Sequence, residues 1–424
     1  MEVKPARESP RDETPDRRRT LVLAGSVAML LISGGGMYLI VVALKEVATE
    51  FGWPRAVPSL AFSLQFIGSG FGGIVMGYVL DRYGFIVPAL VGTVMVGLGG
   101  ICGSYIESAW QLYLIYAFMF GLSGQGSLAA PALANIARWY DRRRGMAVGI
   151  ASSGQALAGI VWPPIFGYVL VAIGWRDMFF WFGVVALVLM LPLCIVVRHR
   201  PPPYAPPAVP PATKETKAAG PSRPAPAPLT SRAIQTTLCC AIFGCCVAMS
   251  LPLGHLVALV TDRGHPIYNA VEVLSVMLMA AFFSRAVLIG LLSDRFGGLR
   301  ALLVFSFVQA ATLAAFTVTD ELWALYVVAA LCGLGYGGLF PIYAVVTREH
   351  LPIVEVGRRT GVIFLFGAVA MGFGSWMGGY LFDLTGSYTM PFLIGVAFNV
   401  VNIFIVVALT LRIRPPLPLR ASVA

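Results

Sequence analysis

Charge is scarce in this chain. Asp, Glu, Lys and Arg make up 12% of its 424 residues, against 58% hydrophobic residues and a mean hydropathy of +0.81. So few charges cannot cover the surface of a soluble domain, so the chain is read as a membrane protein. Metal and catalytic sets are missing too. The seven cysteines all fall inside apolar runs with no histidine pairing of metal-ligand spacing, and they read as small buried hydrophobes. Paired acids are absent, as is any nucleophile beside a base, so no enzymatic activity, metal or cofactor is expected. The net charge of +10 has no soluble basic face to sit on, which excludes a nucleic-acid partner. The first nineteen residues are charged, and the run after them lacks the small-residue cleavage site of a signal peptide, so that run is expected to stay as the first span.

What is present is length and repetition. Apolar runs long enough to span, about 20 residues each, occupy 20 to 46, 56 to 80, 85 to 106, 110 to 137, 145 to 173 and 177 to 197, then 233 to 261, 273 to 293, 299 to 318, 322 to 347, 359 to 382 and 388 to 411. Gly77-Tyr78-Val79-Leu80-Asp81-Arg82-Tyr83-Gly84 returns 213 positions later as Gly290-Leu291-Leu292-Ser293-Asp294-Arg295-Phe296-Gly297. Trp162 with Gly167-Tyr168 and Arg143-Arg144 reappear as Trp376 with Gly379-Tyr380 and Arg358-Arg359, at offsets between 212 and 215. A repeat of that length is half a protein. The expected fold is therefore all-α, with twelve transmembrane helices in two pseudo-symmetric halves of six.

Basic residues test the partition, because cytoplasmic loops of such proteins are enriched in Lys and Arg. With both termini on one side, Lys4, Arg7, Arg11 and Arg17 to Arg19, Arg82, Arg138, Arg142 to Arg144, Arg295, Arg300, Arg348, Arg358, Arg359, Arg412, Arg414 and Arg420 share that face with the central loop. Only Lys45, Arg55, Arg176 and Arg263 fall on the other. Both termini are expected to be cytoplasmic, in the inner or plasma membrane. The expected division is a tail over 1–19, bundles over 20–197 and 233–411, a linker over 198–232 and a tail over 412–424. Eleven prolines between 201 and 230 favour an extended, solvated linker.

Two six-helix halves, the copied Gly-x-x-x-Asp-Arg-x-Gly loop and the long central loop resemble the major facilitator superfamily of secondary transporters. The resemblance implies a gating role for Asp81, Arg82, Asp294 and Arg295, as charges at helix ends whose pairings break when the halves rock. The second copy keeps a basic end, Gly297-Gly298-Leu299-Arg300, whereas the first runs Gly84-Phe85-Ile86 without one.

Ionisable residues inside a membrane are costly and by default functional. Arg285 lies about 14 Å of helical rise from Asp294 and about 20 Å from Glu272, at mid-membrane. No Asp or Glu stands in the middle of any other run, and Glu46, Asp262, Glu272 and Asp383 all sit near the ends. A guanidinium stays charged at any relevant pH, so its counter-ion is most economically the substrate, a carboxylate that fits the fork. His255 is the one histidine inside a run, able either to bind the same anion or to carry a coupling proton. Gln125 and Ser127 in the fourth run, Gln155 in the fifth, Tyr336, Phe340 and Tyr343 in the tenth, and Phe364 in the eleventh are further cavity candidates. The glycine strings Gly68 to Gly73 and Gly333 to Gly338 follow no strand, so they read as close helix packing.

Within the superfamily, His255-Leu256-Val257 with Thr261-Asp262-Arg263-Gly264, the Arg of the eighth helix, Glu50-Phe51-Gly52-Trp53, and Trp139-Tyr140 with Arg143-Arg144-Gly145-Met146-Ala147-Val148-Gly149 are similar to the branch carrying monocarboxylates and oxalate. That likeness implies that Arg285 contacts a carboxylate. Eukaryotic monocarboxylate carriers have an Asp four residues before that Arg, where this chain has Ala281, and a Lys in the first helix where it has Tyr38. Oxalate exchangers carry a Lys in the eleventh helix, and there is none between Phe364 and Leu381. One carboxylate is thus favoured over two. The expected function is alternating-access transport of a small organic anion, a monocarboxylate, with proton symport favoured over exchange and over a transporter-fold sensor. Its expected partners are that acid, protons and the lipid bilayer, with a monomeric functional unit.

Overall fold

The structure is a computed structural model describing residues 17–140, 144–199, 230–351 and 356–413. Residues 1–16, most of the Pro-rich linker, Arg142 and Arg143, and 414–424 lie outside that description, so the expected tails and tether are not described. The described residues form helices with no strand: α1 (Arg17–Val42), the short α2 (Leu44–Phe51), α3 (Ala56–Tyr83), α4 (Ile86–Ser104), α5 (Ala109–Trp139), α6 (Arg144–Val197), α7 (Ser231–Asp262), α8 (Ile267–Phe296), α9 (Gly298–Ala315), α10 (Leu322–His350), α11 (Val356–Thr385) and α12 (Thr389–Arg412). Eleven are long and apolar enough to cross a bilayer. α6 is broken at Gly174, where φ is 83° and ψ 170°, so it supplies two spans and the total is twelve. In lipid each backbone N–H must be satisfied within its own segment, which is why runs this apolar are helical.

The repeat is visible in the backbone. Among the described residues six glycines have positive φ, and they form three pairs at the repeat offset: Gly52 with Gly264, Gly84 with Gly297, and Gly174 with Gly386. Gly84 and Gly297 have φ/ψ of 82°/177° and 81°/161°, a region open essentially to glycine alone. Each closes its loop by donating its N–H to the carbonyl four residues earlier, Leu80 and Ser293 respectively. The copied motif thus encodes the same turn twice.

Helices α1, α3, α4, α5 and α6 pack on one another, and α7 to α12 do likewise, while α3 against α11 and α6 against α8 join the two sets. α1 and α7, equivalent in the repeat, are the most enclosed spans. Both glycine strings are contact surfaces. A Cβ on Gly68 or Gly72 would lie 2.2 or 2.0 Å from the carbonyl oxygens of Ala117 or Leu122 on α5. On Gly333 or Gly337 it would lie 2.0 or 2.2 Å from those of Met277 or Ala281 on α8. Glycines four apart let paired backbones touch in each half.

The two ends of the bundle differ. At the end bearing Gly52, Gly174 and Gly386, here the far end, the sets are closely packed. A Cβ on Gly379 of α11 would meet Ser59 of α3 and Arg55 just before it, and one on Gly167 of α6 would meet Val271 of α8. Towards the other end, the termini end, Gly77, Gly149, Gly290 and Gly361 on the same four helices face open space. The interface is shut at the far end and parted at the termini end.

Candidate functional site

A cavity of about 310 Å³ lies where α1, α3, α5, α6, α7, α8, α10 and α11 converge. Arg285 is the one charged residue among those lining it. Its helix departs from α geometry there: Ser284–Leu288 form a π-helical turn, a distortion frequent at functional sites. The Ser284 hydroxyl donates to the Leu334 carbonyl at 2.7 Å, and Arg285 Nε donates to the Gly337 carbonyl at 3.2 Å. Gly337 brings that carbonyl within reach by letting α10 touch α8. With Nε held, the two Nη groups have no partner among the described residues and remain available to pair with one carboxylate.

Tyr38, Gln125, Gln155, Tyr336 and Phe340 line the same space. Tyr38 and Tyr336 lie within electrostatic range of the Arg285 guanidinium. Gln125 ends a second π-helical stretch, Ile115–Gln125, and its buried Oε1 has no hydrogen-bond partner. Of the residues expected at the site, Arg285, Tyr38, Gln125, Tyr336 and Phe340 therefore come together.

Four others do not line the cavity. Ser127 is fully buried beside it, its hydroxyl unpartnered, on the face of α5 turned from the space. Phe364 stands behind Phe340, their ring centroids 4.4 Å apart. Tyr343 turns towards α12, where its hydroxyl donates to Asn402 Oδ1 at 3.2 Å. His255 is completely buried nearer the far end. Its Nε2 is 2.8 Å from the Ser375 carbonyl oxygen and its Nδ1 is 3.3 Å from the Tyr388 hydroxyl. The carbonyl can only accept, so Nε2 donates and Nδ1 accepts from Tyr388. Packing between α7 and α11 has drawn this ring away from the cavity wall.

The far end is closed by a clasp of charges. Arg55, just before α3, donates Nη1 and Nη2 to Asp262 Oδ2 and Oδ1 at 2.5 and 2.9 Å, and Nη1 also reaches the Tyr388 hydroxyl at 3.1 Å. Its guanidinium carbon sits 3.8 Å from the Phe382 ring centroid. Lys45 pairs with the same Asp262 at 2.9 Å. Asp383 accepts from the N–H groups of Arg55 and Ala56 at 2.7 and 2.8 Å, capping α3 from α11. Burial pulls the Arg55 pKa down, and the Asp262 carboxylate and Tyr388 more than reverse it, so the group is held above its ordinary value. Glu46 lies beside the clasp with one buried oxygen unpartnered, and burial raises its carboxyl above the usual range.

All four basic residues on the far face are thus accounted for. Arg176 binds Glu50 at 2.8 Å and the Ser104 and Ile106 carbonyls, and Arg263 binds Asp320 at 3.2 Å and the Phe316 and Thr319 carbonyls. At the termini end the charges of the copied loop stay within their own halves. Asp81 pairs with Arg138 of its own half, Arg82 and Arg295 lie over Tyr83 and Phe296, and Asp294 is exposed. The clasp was not read from the sequence. Its signal was the coincidence of Lys45 and Arg55 on the face otherwise poor in base with Asp262 and Asp383 at span ends.

Two joined six-helix halves around a central cavity, shut at one end and open at the other, define a multi-pass membrane transporter and not an enzyme. The chain belongs to the Major Facilitator Superfamily, whose family model matches residues 27–320 and 273–423. It is 28% identical over 371 residues to "Monocarboxylate transporter 13" of Rattus norvegicus, covering 84% of this chain and 79% of that one. It is also 28% identical over 319 residues to "MFS-type transporter pynF" of Aspergillus niger, covering 72% and 67%. Among solved structures, a bacterial homolog of the human lysosomal transporter Spinster, in an inward-facing and occupied conformation, superposes with a TM-score of 0.70 at 16% identity, covering 93% of this chain and 97% of that one. That likeness speaks to the fold.

Proposed function

We propose that this chain moves a small organic anion, a monocarboxylate, across the cytoplasmic membrane by alternating access, together with a proton. The observation that carries the reading is the lone Arg285 on the cavity wall, its Nε held by Gly337 and no acid beside it among the lining residues. Arg285 is exposed on the cavity wall, and an intramembrane cation without a counter-ion is costly, so an anion entering the cavity gains what the protein withholds. The absence of a second cation on the wall favours one carboxylate over two. Rat "Monocarboxylate transporter 13" and its kin are consistent with that class.

The termini end is assigned to the cytoplasm from its excess of Lys and Arg. The cavity then faces inward, and the far-end clasp is the outer gate. Arg55 and Lys45 of the first half hold Asp262 of the second there. Asp81, Arg82, Asp294 and Arg295, unlinked across the halves here, would form their latching contacts in the opposite state.

The coupling proton rides on His255 and acts through the gate. Arg55 Nη1 donates to the Tyr388 oxygen, Tyr388 donates to His255 Nδ1, and His255 Nε2 donates to Ser375. A proton on Nδ1 reverses that bond, so the Tyr388 oxygen accepts from His255 as well as from Arg55, and a second positive charge beside Arg55 loosens the Arg55–Tyr388 contact. Arg55, Lys45, Asp262, Asp383 and Glu46 are the charged and titratable groups around it. Uptake of labelled mono- and dicarboxylates into proteoliposomes, with and without an inward proton gradient, tests the reading. Monocarboxylate accumulation stimulated by the gradient is expected. Exclusive transport of dicarboxylates, or of no acid at all, would overturn it.

A further inference from the structure

The cavity extends beyond what the head group of an acid needs, blind towards the far end and open towards the termini end. Arg285 and Leu278 both line it, seven residues apart on α8, about 10 Å of helical rise. Leu278 is on the far-end side, and the wall at its level is mostly apolar, formed by Phe66 on α3, Leu253 on α7 and Met371 on α11 with Met37 and Met249 beside them, while the Tyr38 hydroxyl next to Leu278 is its polar group. The clasp seals the space above. Below, towards the open termini end, Gln155 and Ala130 line the mouth. A carboxylate seated on the Arg285 fork therefore has a blind apolar chamber on one side and water on the other.

Volume gives the scale. At about 30 Å³ per water molecule, 310 Å³ corresponds to about ten waters. That volume spans the whole cavity, mouth included, and an acid of two or three carbons on Arg285 would leave the Phe, Leu and Met side chains on its far-end side against water. Filling it with substrate removes apolar wall from water. Three methionines among the lining residues matter here, since thioether side chains adapt their shape and make favourable contacts with ring edges. Phe340, backed by Phe364, adds an aromatic face at the level of the head group.

We propose that the transported acid carries a bulky apolar tail, of the size of a phenyl or six- to eight-carbon alkyl group, with the carboxylate on Arg285 and the tail pointing to the far end. This rests on the monocarboxylate reading above and adds the part of the molecule that confers specificity. Phe66, Leu253, Leu278 and Met371 are then the specificity-determining residues. The short hydroxy- and keto-acids are poor cargo.

The test is a binding series on the purified full-length protein, measured by calorimetry with protein-free micelles subtracted: acetate, butanoate, hexanoate, octanoate, phenylacetate and 3-phenylpropanoate. Affinity should rise about fourfold per added methylene up to the length the chamber accepts, with the aryl acids well above acetate. Phe66→Ala should move the optimum to a longer tail, and the wild-type series stands by itself if that variant fails to fold. Acetate binding as tightly as the longer acids would overturn the tail assignment while leaving the carboxylate reading intact. Binding of octanamide and octanoate with equal affinity would instead overturn the carboxylate reading, and the tail proposal with it.

Discussion

Asp262→Asn is the sharpest perturbation of the far-end clasp. It keeps the side chain's shape and removes the charge to which Arg55 donates at 2.5 and 2.9 Å and which Lys45 approaches at 2.9 Å. The Lys45 side chain is 35% exposed, so its pair contributes under about 1 kcal/mol. The Arg55 side chain is only 14% exposed, and a charged, sheltered, two-pronged hydrogen bond contributes about 1.5–3 kcal/mol. A loss of about 2 kcal/mol for the whole clasp changes the ratio of far-closed to far-open protein about 30-fold. Ser59 reads that ratio out, because it is 1% exposed between α3 and α11 immediately beneath the clasp. In a background lacking the exposed thiols Cys102 and Cys240, a Ser59→Cys protein in vesicles should react with an impermeant maleimide about 30-fold faster when Asp262→Asn is added. Tyr388→Phe, which removes one neutral hydroxyl, should quicken it only several-fold. Equal labelling rates with and without the Asp262 charge would refute the gate.

Three further outcomes are expected. Gly337→Ala puts a methyl 2.2 Å from the Ala281 carbonyl, so thermal melting should show a loss of about 1–3 kcal/mol and substrate KM should rise as the Arg285 anchor shifts, whereas Gly290→Ala, facing open space, should change neither. His255→Gln should abolish stimulation of uptake by an inward proton gradient while counterflow exchange persists; stimulation that survives would transfer the proton to another group, Glu46 being the half-buried acid beside the clasp. Gly297→Ala, at φ 81°, should cost about 1–3 kcal/mol in melting, and Gly84→Ala a similar amount, because both copies of the loop make the same turn.

The twelve spans were legible in the sequence because lipid imposes one rule on every segment, and hydropathy reports that rule directly. Arg285 was legible for the same reason: a lone mid-span cation is improbable without a task. The rest of the site depended on rotation about helix axes, which composition does not encode. Tyr336 and Phe340 face the cavity, while Tyr343, seven residues beyond Tyr336 on α10, turns to Asn402. The π-helical stretches ending at Gln125 and spanning Arg285 alter that rotation locally, and no periodicity announces them. His255 stood out as a histidine in a span, but its partners, Ser375 and Tyr388, are 120 and 133 residues away. Arg55 stood out only as an exception to the charge pattern. Its partner Asp262 is 207 residues away, and the pairing exists because the halves meet at that end.

Arg285 as the counter-ion of the cargo is the claim on which the rest stands, and one comparison tests it most directly. Calorimetric binding of phenylacetate and of its neutral isostere phenylacetamide would be measured on the wild-type protein and on Arg285→Gln. Arg285 is exposed on the cavity wall, so its charged bidentate pair is taken at the lower end of the usual range, about 1.5 kcal/mol; the wild type should prefer the acid by about 10-fold, and Arg285→Gln should bind the two alike. An undiminished preference for the acid in Arg285→Gln would contradict the account.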